Sequence, residues 1–226
     1  MKIFSDGADI QSMKSNESLV DGFTTNPTLM VKAGITNYLD FAKQAVSEFS
    51  KPISFEVFSD DFDEMYDQAL ILDGLSNNVY VKIPITNTKG ESSSDLLKEL
   101  SNKQVKINVT AVFTQSQIES VYKNLNKDIK SILSIFAGRI ADTNIDPEPL
   151  VTFATQNKIN NCEVLWASTR EVFNIFQAER CNCDIITVAP NLIEKWKKLE
   201  SKDLNEFSLD TVKMFYSDAQ QAGYSI

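Results

Sequence analysis

Asn78-Val79-Tyr80-Val81-Lys82-Ile83-Pro84-Ile85 is the stretch from which the fold of this chain is read. Its β-branched and aromatic residues are apolar at both odd and even positions, the pattern of a parallel strand covered on both faces. An ammonium inside such a strand is costly, so Lys82 needs an explanation. One reading is a strand-end lysine whose stem lies on apolar wall while its head reaches water. The other is a nucleophilic amine. A reference pKa of about 10.4 leaves roughly 0.04% neutral amine at pH 7, and desolvation by apolar neighbours would raise that fraction.

Working outward from residues 78–85, strand and helix patterns alternate along the whole chain. Strands are predicted at 2–5, 19–24, 53–58, 105–113, 132–137, 163–167 and 184–188. Helical segments fall between them, at 37–49, 60–75 and 116–125 among others, with Pro27 and Pro147 suited to first turns. Eight strand-helix units without a linker or low-complexity stretch predict an α/β fold, a single closed (β/α)8 TIM barrel spanning residues 1–226. An open doubly wound sheet is the alternative, but no Gly-rich dinucleotide fingerprint follows any strand. Residues 203–226 read as an additional C-terminal helix, with Leu204, Phe207, Val212, Phe215, Ala219 and Ala222 on one stripe.

Composition removes several classes of function. The chain has no histidine, which excludes a Ser-His-Asp triad, a His-activated cysteine and a His-rich zinc site. Acid-base chemistry must then use carboxylates, lysine, tyrosine or water. With 31 acidic against 22 basic residues, a net charge of −9 argues against a nucleic-acid partner or an anionic membrane surface. Cys162, Cys181 and Cys183 have neither a disulfide-framework nor a zinc-ligand spacing and read as buried thiols. No signal peptide is visible and no apolar run approaches a membrane span, so a cytosolic setting is expected, with no metal and no cofactor.

The polar residues inside the strand patterns gather at one place in each unit. Asp6, Asn26, Glu56, Lys82, Thr110, Ser134 and Ser168 all fall near the carboxyl ends of successive strands, which in a barrel converge on one face. Each has a bland role when taken alone: Asp6 as a turn former before Gly7, Asn26 as the N-cap of the helix after Pro27, Glu56 as a hydrogen-bonded structural carboxylate. Asn108 and Thr110 are two apart and point to the same side, and Arg139 and Arg170 follow two of the strands as candidate anion clamps. Together, a lysine, two carboxylates, hydroxyls and two arginines around one mouth point to an active site.

Phe23-Thr24-Thr25-Asn26-Pro27-Thr28 resembles the transaldolase signature T-T-N-P-S/T, and Val81-Lys82-Ile83-Pro84 resembles that family's Schiff-base lysine strand. The likeness extends through Ser5-Asp6, Asn108-Val109-Thr110, Ser134 to Arg139 and Ala167-Ser168-Thr169-Arg170. It is nearest to the short transaldolase and fructose-6-phosphate aldolase group. The resemblance implies that Lys82 attacks a ketose carbonyl and Asp6 moves the C4 hydroxyl proton, with Glu56 and Thr110 positioning a proton-shuttling water. It further implies that Asn26 and Asn108 hold the dihydroxyacetone hydroxyls, and that Arg139, Ser168 and Arg170 clamp phosphate. Ser134 and Phe136 would line the site, with Thr24 supporting it.

Within the resembled group, Glu56, Ser134 and Phe136 look like transaldolase residues, where the aldolases carry glutamine at the third strand and tyrosine at the sixth. The implied reaction is transfer of a dihydroxyacetone unit from sedoheptulose 7-phosphate or fructose 6-phosphate to an aldose phosphate, as in the pentose phosphate pathway. An aldolase releasing free dihydroxyacetone is the alternative, and a phosphosugar-binding barrel without turnover is a third reading. Short relatives use a terminal helix to grip a neighbouring subunit, so a homo-oligomer, pentamer or decamer, is expected.

Overall fold

The computed structural model describes residues 1–226. Met1–Ile193 forms one compact unit and Glu194–Ile226 a second. The first unit contains strands β1 (Lys2–Asp6), β2 (Gly22–Thr24), β3 (Ile53–Glu56), β4 (Val79–Pro84), β5 (Ile107–Val112), β6 (Ser131–Ile135), β7 (Cys162–Trp166) and β8 (Ile185–Val188). Its helices are α1 (Ile10–Asn16), α2 (Pro27–Lys32), α3 (Tyr38–Glu48), α4 (Phe62–Asp73), α5 (Ser94–Asn102), α6 (Gln115–Asn124), α7 (Ala137–Ala141), α8 (Glu148–Asn157) and α9 (Phe173–Arg180). Helix α10 (Pro190–Leu199) begins in the first unit and ends in the second, which also holds α11 (Leu204–Ala222).

Each strand pairs in parallel with the next, and β8 closes on β1 through pairs such as Phe4 with Thr187, giving the (β/α)8 barrel. Strand alternation sorts the side chains. In β4, Tyr80 and Lys82 point inward while Val79, Val81 and Ile83 are buried toward the helices. Inside, Phe4, Tyr80, Ile132, Leu165 and Ile185 fill the lower barrel, a burial that contributes about 1.5–3 kcal/mol for each large side chain. Gly22 makes room for this packing: a Cβ there would lie 2.6 Å from the Phe4 ring. The apolar floor raises the polar layer above it to the carboxyl ends of the strands.

Several boundaries differ from the sequence reading, and two of them bear on the site. Beyond Glu56, the Phe58 and Ser59 N–H groups donate to Gln68 Oε1, which bends the chain out of β3 before residue 58. Beyond Ile135, Phe136 leaves the extended region (φ −80°, ψ 57°) and α7 begins, where a strand was expected to run to residue 137. Arg139 therefore rides on a short helix. Leu19, expected to open the second strand, ends a 3₁₀ turn over residues 17–19, and only Gly22–Thr24 remain in β2.

Within the second unit, α11 is capped by the Asp203 carboxylate, which accepts from Asn205 and Glu206 N–H, and closed by Gly223 in the left-handed conformation. None of its residues is buried. No helix is long and apolar enough to cross a membrane.

Candidate active site

The cost of placing Lys82 in an apolar strand is met by two partners. Its Nζ lies 3.0 Å from Glu56 Oε2 and donates to the Thr25 carbonyl oxygen at 2.9 Å. Register accounts for the ion pair, since Glu56 and Lys82 sit opposite each other on β3 and β4. Tyr38 Oη donates to the Glu56 carbonyl oxygen at 2.6 Å and holds the end of β3. The lysine side chain is 7% exposed and that of Glu56 19%, so the pair is largely withdrawn from water, and removing Glu56 would take away the nearest counter-charge of a buried ammonium.

Asp6, at the end of β1, opens onto the same cavity. Thr24 Oγ1 donates to its Oδ1 at 2.8 Å. Burial pushes the Asp6 pKa up, only partly opposed by the Lys82 charge and the Thr24 hydrogen bond, while the Glu56 charge adds to the rise. Thr24 is itself hydrogen-bonded to the Thr187 hydroxyl on β8. With the Thr24 proton given to Asp6, Thr187 must be the donor in that contact. The chain Thr187–Thr24–Asp6 thus fixes the carboxylate from two neighbouring strands.

Asn26 is the N-cap of α2, its Oδ1 accepting from Leu29 N–H at 2.9 Å. Capping uses the oxygen and leaves the amide donors for the cavity. On β5, Thr110 has a buried hydroxyl with no protein partner, next to a bulge where Ala111 adopts φ 58°. Asn108 lies deeper. It donates to Ser54 Oγ at 3.0 Å and accepts from Ser134 Oγ at 2.7 Å, so a polar bridge crosses the barrel from β3 to β6.

Arginines stand at the side of the mouth formed by the β6 and β7 ends. The Arg139 guanidinium stacks over Phe136 at 5.2 Å and makes no ion pair; Phe136 in turn packs on Phe113 with ring centroids 5.6 Å apart. Arg170 is held by Asp142. Its Nη2 lies 2.6 Å from Asp142 Oδ2, and its Nε lies 3.2 and 3.1 Å from the two carboxylate oxygens. Between the arginines, a Cβ on Gly138 would fall 1.7 Å from the Ser168 carbonyl oxygen, so only glycine lets the two loops meet. Ser168 itself has φ 67°, the left-handed region.

All the candidate residues except Asn108 line one cavity of about 480 Å³: Asp6, Thr24, Asn26, Glu56, Lys82, Thr110, Ser134, Phe136, Arg139, Ser168 and Arg170. Asn108 reaches it only through Ser134. The cavity wall also includes Lys32 and Thr187, which were not singled out from sequence. Thr187 follows the rule that identified Thr110 and Ser134, a hydroxyl at the end of an apolar strand. Lys32, Lys82, Arg139 and Arg170 face only Asp6 and Glu56 there, so a chain of net charge −9 presents an anion-attracting interior at this mouth. A concavity of about 560 Å³ at the opposite end is lined by Lys2 and Lys158, both already paired, with Glu163 and Asp184.

The sequence matches the family described as Transaldolase/Fructose-6-phosphate aldolase over residues 3–226. The chain belongs to this family. It is 33% identical to a probable transaldolase of Bartonella bacilliformis, with 100% of each chain covered. A probable transaldolase of Cereibacter sphaeroides is 32% identical, covering 100% of this chain and 99% of that one. One from Thermoplasma acidophilum is 30% identical, covering 90% and 91%. Among solved structures, the fold is similar to KGPDC from Streptococcus mutans, with a TM-score of 0.59, 12% identity and coverage of 85% and 89%. Inosine 5' monophosphate dehydrogenase from Legionella pneumophila also reaches a TM-score of 0.59, at 10% identity over 85% of this chain and 59% of that one. Those two likenesses concern the barrel alone.

Proposed function

We propose that this family member is a transaldolase that moves a dihydroxyacetone unit from a ketose phosphate, fructose 6-phosphate or sedoheptulose 7-phosphate, to an aldose phosphate through a Schiff base on Lys82. The observation that carries the proposal is the buried Lys82 amine, 3.0 Å from Glu56, in one cavity with Asp6 and two arginines. The names of the relatives support the same reading.

In the proposed reaction Lys82 gives up a proton toward Glu56, adds to the C2 carbonyl and, with loss of water, forms an iminium. Glu56 and Thr110 position the water that carries protons in these steps. Asp6 then takes the C4 hydroxyl proton as the C3–C4 bond breaks, and the aldose half leaves as an aldehyde. The bonding electrons remain on the lysine-bound three-carbon unit as an enamine. That enamine attacks an incoming aldehyde, Asp6 returns its proton to the new hydroxyl, and water frees the ketose from Lys82. A carboxyl whose pKa is raised by burial suits a group that must both accept and return a proton.

Asn26 is assigned to the dihydroxyacetone hydroxyls, Ser134 to the same wall with Asn108 acting on those hydroxyls through it, and Arg139, Ser168 and Arg170 to phosphate. Phe136 offers no proton donor to the enamine, which favours retention of the unit until an acceptor arrives. The three cysteines are unpaired, in keeping with a reducing, cytosolic setting. The unburied apolar residues of α11, including Val212 and Phe215, support self-association through residues 203–226 as the extension of a single barrel domain.

Borohydride reduction in the presence of fructose 6-phosphate tests the proposal. Irreversible inactivation with a three-carbon adduct on Lys82, absent from Lys82→Met, is expected. Labelling of another lysine, or full activity in Lys82→Met, would sink it. Product analysis with and without erythrose 4-phosphate separates transfer from aldol cleavage: free dihydroxyacetone formed as fast as transfer would make the protein an aldolase.

A further inference from the structure

We infer that Asp142 is a positioning residue for phosphorylated substrates, holding the Arg170 guanidinium by one edge so that its other edge is presented to the cavity. This rests on the proposed phosphate clamp and assigns a role to a residue outside it. A guanidinium has five N–H donors in a rigid plane. Asp142 engages the Nε and Nη2 side, with contacts of 3.2, 3.1 and 2.6 Å. The Nη1 hydrogens and the second Nη2 hydrogen remain, and they form the edge that matches two phosphate oxygens. Asp142 is absent from the cavity wall, whereas Arg170 and Ser168 belong to it. The carboxylate is thus not itself part of the wall to which the arginine contributes.

The pair has little to do for the stability of the barrel. Both side chains are about half exposed, 47% for Arg170 and 52% for Asp142, and exposed ion pairs contribute little. What a double-contact pair does at such a site is hold a long side chain in one rotamer. The backbone beneath is held too, because Arg170 N–H donates to Asn174 Oδ1 at 2.8 Å. Arg139 is aimed by another route, its guanidinium lying on the Phe136 ring and making no ion pair, although its charge also reaches Asp142. One arginine is aimed by an aromatic face and the other by a carboxylate. The Arg170 hydrogen bond also holds the Asp142 carboxyl below its usual pKa, so the pair stays ionised across the neutral range.

Steady-state kinetics on fructose 6-phosphate and on unphosphorylated fructose test this. Freeing Arg170 makes the ligand bear the cost of ordering it, so Asp142→Ala should raise KM for fructose 6-phosphate roughly two- to tenfold, with the loss in KM and not in kcat. The KM for fructose should move much less. Asp142→Glu, which keeps both acceptor oxygens, should recover most of the loss, and Asp142→Asn should fall between. An unchanged or lower KM for fructose 6-phosphate in Asp142→Ala, or an equal rise for both ketoses, overturns the inference while the clamp stands. An unmodified enzyme that does not prefer the phosphorylated ketose overturns the clamp and the inference together.

Discussion

Arg139→Ala is the cleanest single probe of the proposed phosphate clamp, because removing this guanidinium strands no partner inside the protein. It makes no ion pair, and its guanidinium lies on the face of Phe136. Losing that stacking costs about 0.5–1 kcal/mol of stability at an exposed position, too little to unfold the barrel. Toward a phosphate, the guanidinium can place two charge-assisted hydrogen bonds, each stronger than a neutral one. Allowing for its exposure, the expected loss in transition-state binding is about 2 to 4 kcal/mol, equivalent to roughly 30- to 1,000-fold in kcat/KM. Arg170 gives a less direct answer, since its removal leaves Asp142 without its partner. The assay is kcat/KM for fructose 6-phosphate and for fructose in the unmodified protein, Arg139→Ala and Arg139→Lys. Lysine keeps the charge and loses the fork, so it should fall between the other two. Equal losses on both ketoses would refute the reasoning and reduce Arg139 to a support of the loop.

Three further outcomes follow from the same geometry. Phe136→Tyr should raise the release of free dihydroxyacetone in the absence of an acceptor aldehyde, by placing a hydroxyl near the enamine; no change in released product would argue against a donor at this position. Glu56→Ala should destabilise the protein by about 3 kcal/mol, because it removes the nearest counter-charge of the buried Lys82 ammonium and leaves only the Asp6 carboxyl near it, and chemical denaturation reads this directly. Asp6 has a raised folded-state pKa, so ionising it weakens the fold: the associated stability is present at low pH and is lost as pH rises through the folded pKa. The melting-temperature advantage of Asp6→Asn over the unmodified protein should therefore grow from pH 4 to pH 8, even as activity is lost, and a flat or shrinking advantage would contradict the burial argument.

The barrel was legible because its signals are local. Residues 78–85 are apolar on both parities, helical periodicity separates the strands, and most of the polar residues that line the cavity stand near strand ends. The same locality explains what could not be read. That Glu56 lies beside Lys82 is a matter of register between β3 and β4, and register depends on closure of the whole sheet. The 3₁₀ turn at residues 17–19 and the short helix α7 replaced expected strand residues, since hydrogen bonds and loop contacts from elsewhere decided where extension ends. Gly138 is the clearest instance. In sequence it is a turn residue after a strand, yet its necessity comes from the Ser168 carbonyl oxygen, thirty positions away, which occupies the space a side chain would need. Arg170 makes the same point about chemistry. From sequence it is a cation near a strand end, equal in kind to Arg139. Only its contact with Asp142 distinguishes an arginine already aimed by the protein from one lying on an aromatic ring, and that difference is what the two sets of variants are able to resolve.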